Sequence, residues 1–414
     1  MVDKYVTVSI KRDDIEARIG ELSLKKHWLA EQIGVDKGTF SRWLNGKIKR
    51  VRKEHVEQLS QLLECEYGDI VSDDDDYGSK ADQRAAAELI ETEDLFSVLA
   101  SSAKFELLTK IIKSSLNPYL PKKILGELYN TLGMAIWYLD KPKQSKTYIE
   151  KALNIGVNHD HNGIKARALL SLAGLAYNEG DLDTGRKFIE SSLEIADGLV
   201  RRDQCMAKVL RGYETFLRGE LQTAYEEMVI IHKDISSAEH FPMKLEVLNI
   251  ASTFIAEFAL SLTKLQDAMT AIKAMKDTSN KANYVFGLNL LPVFNVWRHA
   301  IEGDTKQTRE AFNGVNESFL WPRLYKAKVN AILARSARLI GDQSLAEQYI
   351  QQGLDHARDD LPLHQAELLM ERLLLTQDKA ILKQLTEIYR ESKAYRRLED
   401  LPSLLDNPSN HRHL

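Results

Sequence analysis

Cysteine is scarce in this 414-residue chain: Cys65 and Cys205 are the only two, with no Cys-x-x-Cys pair and no metal-like Cys/His spacing. That excludes a disulfide framework and gives no zinc site, so both thiols are expected to be ordinary buried side chains. Long apolar runs are missing too. No stretch reaches the ~18 residues of a membrane span, and no apolar segment preceded by basic residues opens the chain, so a cytoplasmic protein without a membrane partner is expected. Catalytic signatures are likewise absent: there is no GxxxxGK[ST], no GxSxG, no HExxH, no GxGxxG after a strand, and no convincing strand. The cluster His159-Asp160-His161 lies in a polar loop, where such residues need no metal to explain them. The acidic run 73–76 lacks the alternating ligands of a calcium loop, and the His-rich end at 411–413 reads as a frayed tail. No enzyme activity, cofactor or metal is expected.

What the chain does have is an ordinary globular composition, 44% hydrophobic and 28% charged, and a length that calls for several domains or an extended repeat array. Its charge is unevenly placed. Residues 23–53 hold nine Lys/Arg against Glu31 and Asp36, a net +7 within a chain of net −4, which leaves −11 on the rest. A small basic module on an acidic body is the asymmetry expected when one part faces phosphate.

Within that window the apolar positions Trp28, Leu29, Ile33, Phe40, Trp43 and Leu44 fit two short amphipathic helices, with Trp28 and Trp43 in the core. Gly34-Val35-Asp36 lies between them. The glycine suits the left-handed end of one helix, Val35 plugs the core, and Asp36 caps the next; Ala30 is small enough for a close crossing. These residues resemble the Cro/CI-type (XRE) helix-turn-helix: Leu29-Ala30, Gly34, Phe40 and Trp43 meet its pattern over residues 10–70. Gly46 follows Trp43-Leu44-Asn45 where the family often has Glu-x-Gly. The resemblance implies a five-helix domain whose outer helices cover about 13–22 and 53–65, the latter carrying the stripe Val56, Leu59, Leu62 and Leu63. It also implies a second helix lying in the major groove of double-stranded DNA. Lys37, Thr39, Ser41, Arg42 and Asn45 would then face bases or phosphates, with Arg42 able to bond guanine bidentately. Lys25, Lys26, Lys47, Lys49 and Arg50 would neutralise the backbone beside it. A small bundle used for protein contact remains the alternative. Such modules commonly bind inverted repeats as two-fold dimers, so a homodimer is expected.

The domain at 1–70 is followed by a polar, acidic linker at 71–80 and by linker helices at 81–120, the first over 81–100. From 121 to 414 the chain repeats a helix, a Gly-Asp-like turn and a second helix. The small close-packing positions are Gly133, Ala173, Gly212, Ala256, Val296 and Ala334, at intervals of 40, 39, 44, 40 and 38, with a worn copy near Leu369. The order of small residue, turn and apolar knob resembles the tetratricopeptide family with longer helices. The fold class is therefore all-α: a five-helix helix-turn-helix domain, then a TPR-like right-handed α-solenoid.

By that resemblance the first helix of each pair lines a concave wall. The first repeat supplies Asn130, Met134 and Trp137, and the second Tyr177 and Asn178. Tyr213 and Phe216 follow, then Thr253 and Glu257. The later repeats add Asn289 and Trp297, then Asn330, Arg335 and Arg338. Amides suit an extended peptide backbone, aromatics suit its side chains and arginine suits a carboxylate, so a short peptide is the expected ligand and a protein partner the alternative. The whole architecture resembles peptide-responsive transcription regulators of the RRNPP type, including phage arbitrium-type receptors. That implies a DNA-binding homodimer modulated by a short secreted peptide, as in quorum sensing; the competing reading is a scaffold that recruits a protein. The apolar excess at 368–375 would serve an interface or a cap.

Overall fold

A computed structural model describes residues 7–65, 67–71, 99–116, 120–195, 200–241, 243–316, 322–358 and 360–406. Residues 72–80 of the expected acidic linker, 81–98 of the expected leading helix and the His-rich end at 411–413 lie outside them. The chain divides into two compact units, Met1–Glu91 with Lys110–Pro121 and Thr92–Thr109 with Lys122–Leu414. A single helix, α6 (Phe105–Ser115), straddles the division.

The first unit contains α1 (Arg12–Glu21), α2 (Lys26–Gln32), α3 (Lys37–Leu44), α4 (Lys53–Leu62) and the one-turn α5 (Tyr67–Ile70). Ile15, Leu29, Ala30, Ile33, Phe40, Trp43, Val56, Leu59, Leu63 and Ile70 form its core, each large apolar side chain contributing roughly 1.5–3 kcal/mol on burial. Gly34 takes φ +73°, so the chain turns sharply after α2, and Asp36 accepts a hydrogen bond from the Thr39 amide at 2.9 Å, which starts α3. Val35 packs half-buried against the core, and Phe40 meets Trp43 edge-on at 5.7 Å.

The structure departs from the sequence pattern at Trp28 and ahead of α1. Trp28 is 38% exposed and not a core residue: successive helical residues are ~100° apart, and Leu29 and Ile33 take the inward stripe while Trp28 shares its face with the exposed Glu31 and Gln32. A small antiparallel ladder also exists, β1 (Thr7–Val8) against β2 (Val51–Arg52), with Val8 opposite Val51. Two residues per strand are too few for an alternating pattern to show, yet Val8 and Val51 are buried and the pairing ties the chain ahead of α1 to the segment after α3.

The second unit is a series of antiparallel helix pairs packed in order. These are α7 (Lys122–Trp137) with α8 (Pro142–Asn158), α9 (Asn162–Asn178) with α10 (Leu182–Glu194), and α11 (Arg201–Leu217) with α12 (Leu221–Ser237). Next come α13 (Lys244–Ser261) with α14 (Leu265–Ala282), α15 (Val285–Ile301) with α16 (Thr305–Phe312), and α17 (Arg323–Leu339) with α18 (Gln343–Ala357). The last are α19 (Pro362–Thr376), α20 (Lys379–Glu391) and α21 (Tyr395–Asp406). Four turns place glycine in the left-handed region, Gly180 at φ +78°, Gly219 at +96°, Gly303 at +76° and Gly341 at +79°. After three of them an aspartate caps the next helix: Asp181, Asp304 and Asp342 accept from the amides of Thr184, Gln307 and Leu345 at 2.9–3.2 Å. The small positions pack as expected. A methyl group on Gly133 would stand 2.5 Å from an Ile149 carbon, and Ala173, Ala256, Val296 and Ala334 are fully buried.

The apolar segment near the end is consumed within the chain, since Leu368, Leu369, Met370 and Leu373 are all buried. Cys205 is buried and Cys65 half-buried, both free. Among the described residues no helix is long and apolar enough to cross a membrane, and no group of three or more His, Cys, Asp or Glu side chains could hold a metal.

Candidate nucleic-acid interface and array cavity

The corner of α2 and α3 fixes the outer face of α3 by locking its inner one. With Phe40, Trp43 and Leu44 buried, Lys37, Ser41 and Asn45 fall four residues apart along the exposed side, beside Arg42 and the half-exposed Thr39. These side chains form a short network. The Arg42 guanidinium donates to Thr39 Oγ1 at 2.9 Å and to the Gly38 carbonyl at 3.2 Å, and Thr39 Oγ1 donates to the Asp36 carboxylate. The hydrogen bonds from Thr39, helped by the charge of Arg42, hold Asp36 below the usual carboxylate range. Asn45 Oδ1 accepts from the Lys47 amide at 3.2 Å, which shapes the chain leaving α3.

The flanking cations divide into two groups. Lys25, Lys47 and Lys49 are exposed. Lys26 reaches Glu16 at 2.6 Å and Arg50 donates to the Thr7 carbonyl at 2.9 Å, so both are engaged within the unit. A phosphate would compete with those contacts for Lys26 and Arg50 but meets the others in water.

In the array, the residues expected to line one wall are distributed among several environments. Phe216, Glu257, Trp297 and Arg335 come together around a narrow cavity that opens to solvent. Trp137 and Asn178 line a second, shallower hollow with Asp140, Arg323 and Asp360. Tyr213 stacks on Phe254 at 4.7 Å beside the first cavity. Tyr177 and Asn130 are buried, and Met134 packs into the cluster around Ile149 and Leu172. The amides turn inward on their own helices: Asn178, Asn289 and Asn330 donate to Gly174, Val285 and Lys326 carbonyls at 2.8–2.9 Å. Thr253 does the same to Asn249 at 2.8 Å.

The arginines at the far end are held as well. Arg335 Nε and Arg338 Nε donate to the two oxygens of Glu371 at 2.6 and 2.7 Å, and Glu371 is fully buried. The Arg335 guanidinium also lies 4.9 Å from the Trp297 ring. On the opposite side Lys328 pairs with Glu257 at 2.6 Å and sits 5.5 Å from the rings of Tyr213 and Phe254. Burial pushes the Lys328 ammonium down, but Glu257, Tyr213 and Glu367 together outweigh it and leave the group above its ordinary value. The lining is therefore cationic and anionic in balance, with large aromatic faces between the charges, and the Trp297 indole N–H is buried without a hydrogen-bond partner among the described residues.

Sequence reasoning missed most of this cavity's lining. Lys328 lies two residues from the expected position Asn330, and Glu367, Tyr389, Arg397 and Asp400 come from α19, α20 and α21. Charge at a partly apolar helix position was the available signal for Lys328; for the last helices, the repeat register had already worn out.

No curated protein matches this chain. The family model that does match covers residues 15–76 and describes the Cro/C1-type HTH DNA-binding domain. The corner at Gly34, the cap at Asp36 and the exposed face of α3 thus belong to a segment similar to the Cro/C1-type helix-turn-helix DNA-binding domain, which supports a DNA-binding transcription regulator.

Proposed function

We propose that this chain is a sequence-specific transcription regulator whose DNA affinity is modulated by a ligand, a short peptide, taken up in the helical array. The observation that carries the first half is the exposed α3 face, Lys37, Thr39, Ser41, Arg42 and Asn45, on a core-locked corner within the matched segment. A helix of this size enters the major groove, where each base pair has a distinct edge. Arg42 reads guanine through its fork while Lys25, Lys47 and Lys49 set the register on phosphates. Arg42 must then exchange its contacts to Thr39 and Gly38 for contacts to the base. One module offers few base contacts, so a homodimer on an inverted repeat supplies the remaining discrimination.

The second half rests on the cavity bounded by Phe216, Trp297, Lys328 and Arg335. Its balanced charges and aromatic faces suit a zwitterionic chain with apolar side chains. Modulation requires that the ligand favour one arrangement of the protein over another, since equal affinity for both would shift nothing.

Selection from a random duplex pool with the full chain tests the DNA half. The intact protein should enrich one motif, and Arg42→Ala should lose about 1–3 kcal/mol of discrimination at a guanine in it. Enrichment of the same motif with undiminished preference by Arg42→Ala would remove Arg42 from this role.

A further inference from the structure

The last helices of the array roof the cavity they help to line. α20 is buried along one stripe only, Ile381, Leu385 and Tyr389, and Tyr389 faces the cavity with Arg397 and Asp400 of α21. Left-handed residues stand at both ends of α20, Gln377 at φ +55° and Lys393 at +57°.

From Lys393 onward the contacts reach back to the second and third helix pairs. Lys393 Nζ donates to Asp183 at 2.5 Å, Arg218 donates to the Lys393 carbonyl at 3.4 Å, and Arg397 donates to the Phe216 carbonyl at 3.2 Å. Arg218 binds the other Asp183 oxygen at 2.9 Å and also the buried Glu214, which Arg186 holds from its far side. The ion cluster is thus anchored on the α9–α12 side and meets the last helices through one lysine.

The helix turns beneath carry the same imprint. A side-chain carbon on Gly180 would lie 2.8 Å from Ser392 Oγ, and one on Gly219 would lie 2.9 Å from the Arg397 amide nitrogen. At Gly303 and Gly341, which have the same turn conformation, nothing lies within 4 Å. Two of four like turns are seats for the returning helices.

We infer that α20 and α21 form a strap that gates the cavity, fastened to the turns at Gly180 and Gly219 by the Asp183–Lys393–Arg218 cluster and released to admit the ligand. This rests on the reading of the cavity as the ligand site. The outer pair of the fastening suits a gate because it is solvent-facing: the side chains of Lys393 and Asp183 are 48% and 37% exposed, so salt screens their attraction, while the largely buried Arg218 stays with Glu214. The pairs inside, Lys328 with Glu257 and Arg335 with Glu371, are buried and persist when the strap lifts.

Amide hydrogen exchange on the full chain, without any ligand, tests the strap by itself. Lys393→Glu sets two carboxylates against each other and should speed exchange over residues 379–401 by about tenfold or more, with 244–339 unchanged. Raising salt from about 0.05 M to about 1 M should act in the same direction on the intact protein, and Lys393→Arg should behave as the original. Unchanged exchange over 379–401 in Lys393→Glu overturns the inference, as does acceleration spread through α13–α17, which would make the contact a general support. Because no ligand is present, a rigid strap contradicts the gate whatever the cavity binds.

Discussion

Glu371 holds two charges of the array, for its buried carboxylate serves Arg335 and Arg338 at once. Both guanidinium groups are themselves largely buried, 13% and 12% exposed, so neither can turn to water when the acid is lost. Glu371→Gln should therefore destabilise the chain by about 3–5 kcal/mol, the range for breaking a buried pair on one side. Chemical denaturation monitored by circular dichroism checks this; a loss under about 1 kcal/mol would mean that the pair is solvated after all. The two arginines were legible in the sequence as cations on first helices, but their partner was not. Glu371 lies on α19, and nothing in local spacing says which carboxylate, 33 or 36 residues away, will reach a given arginine. Asn178, Asn289 and Asn330 show the same limit, since each could equally serve a ligand or, as here, its own helix.

At the scale of the element, the turn decides. Gly180 and Gly341 have nearly equal φ, +78° and +79°, so an alanine at either incurs the left-handed cost of about 1–2 kcal/mol. Only at Gly180 does the added methyl also meet Pro362 and Ser392. Gly180→Ala should thus lower the melting temperature more than Gly341→Ala, and equal losses would mean that the last helices yield freely at that seat. The glycine turns were readable because glycine and aspartate each have a physical reason to be there. Turns at Asp140 and Thr263, with φ of +60° and +56°, were not, since ordinary side chains occupy the left-handed region there. The helix-turn-helix was legible for the same reason as the glycine turns: Gly34, Asp36 and Ala30 have one geometry in which all three fit. Trp28 misled because bulk and apolarity speak for burial, whereas its place one residue before Leu29 turns it outward.

At the scale of the molecule, the net +7 between residues 23 and 53 lies on the unit that carries α3, while residues 54–121 hold most of the compensating acid and residues 122–414 balance 38 Lys/Arg against 38 Asp/Glu. Charge of that kind draws any DNA, and in the proposed reading the α3 face converts attraction into choice of sequence. The cavity in the array is a separate device with its own buried charges, and its residues contribute nothing to base recognition in this account. The proposed base recognition therefore rests on α3, and methylation interference on the selected duplex measures it most directly. A methyl on N7 of one guanine per half-site should block binding of the intact chain and make no difference to Arg42→Ala. Interference at the same guanine in both proteins, or none in either, would contradict the account.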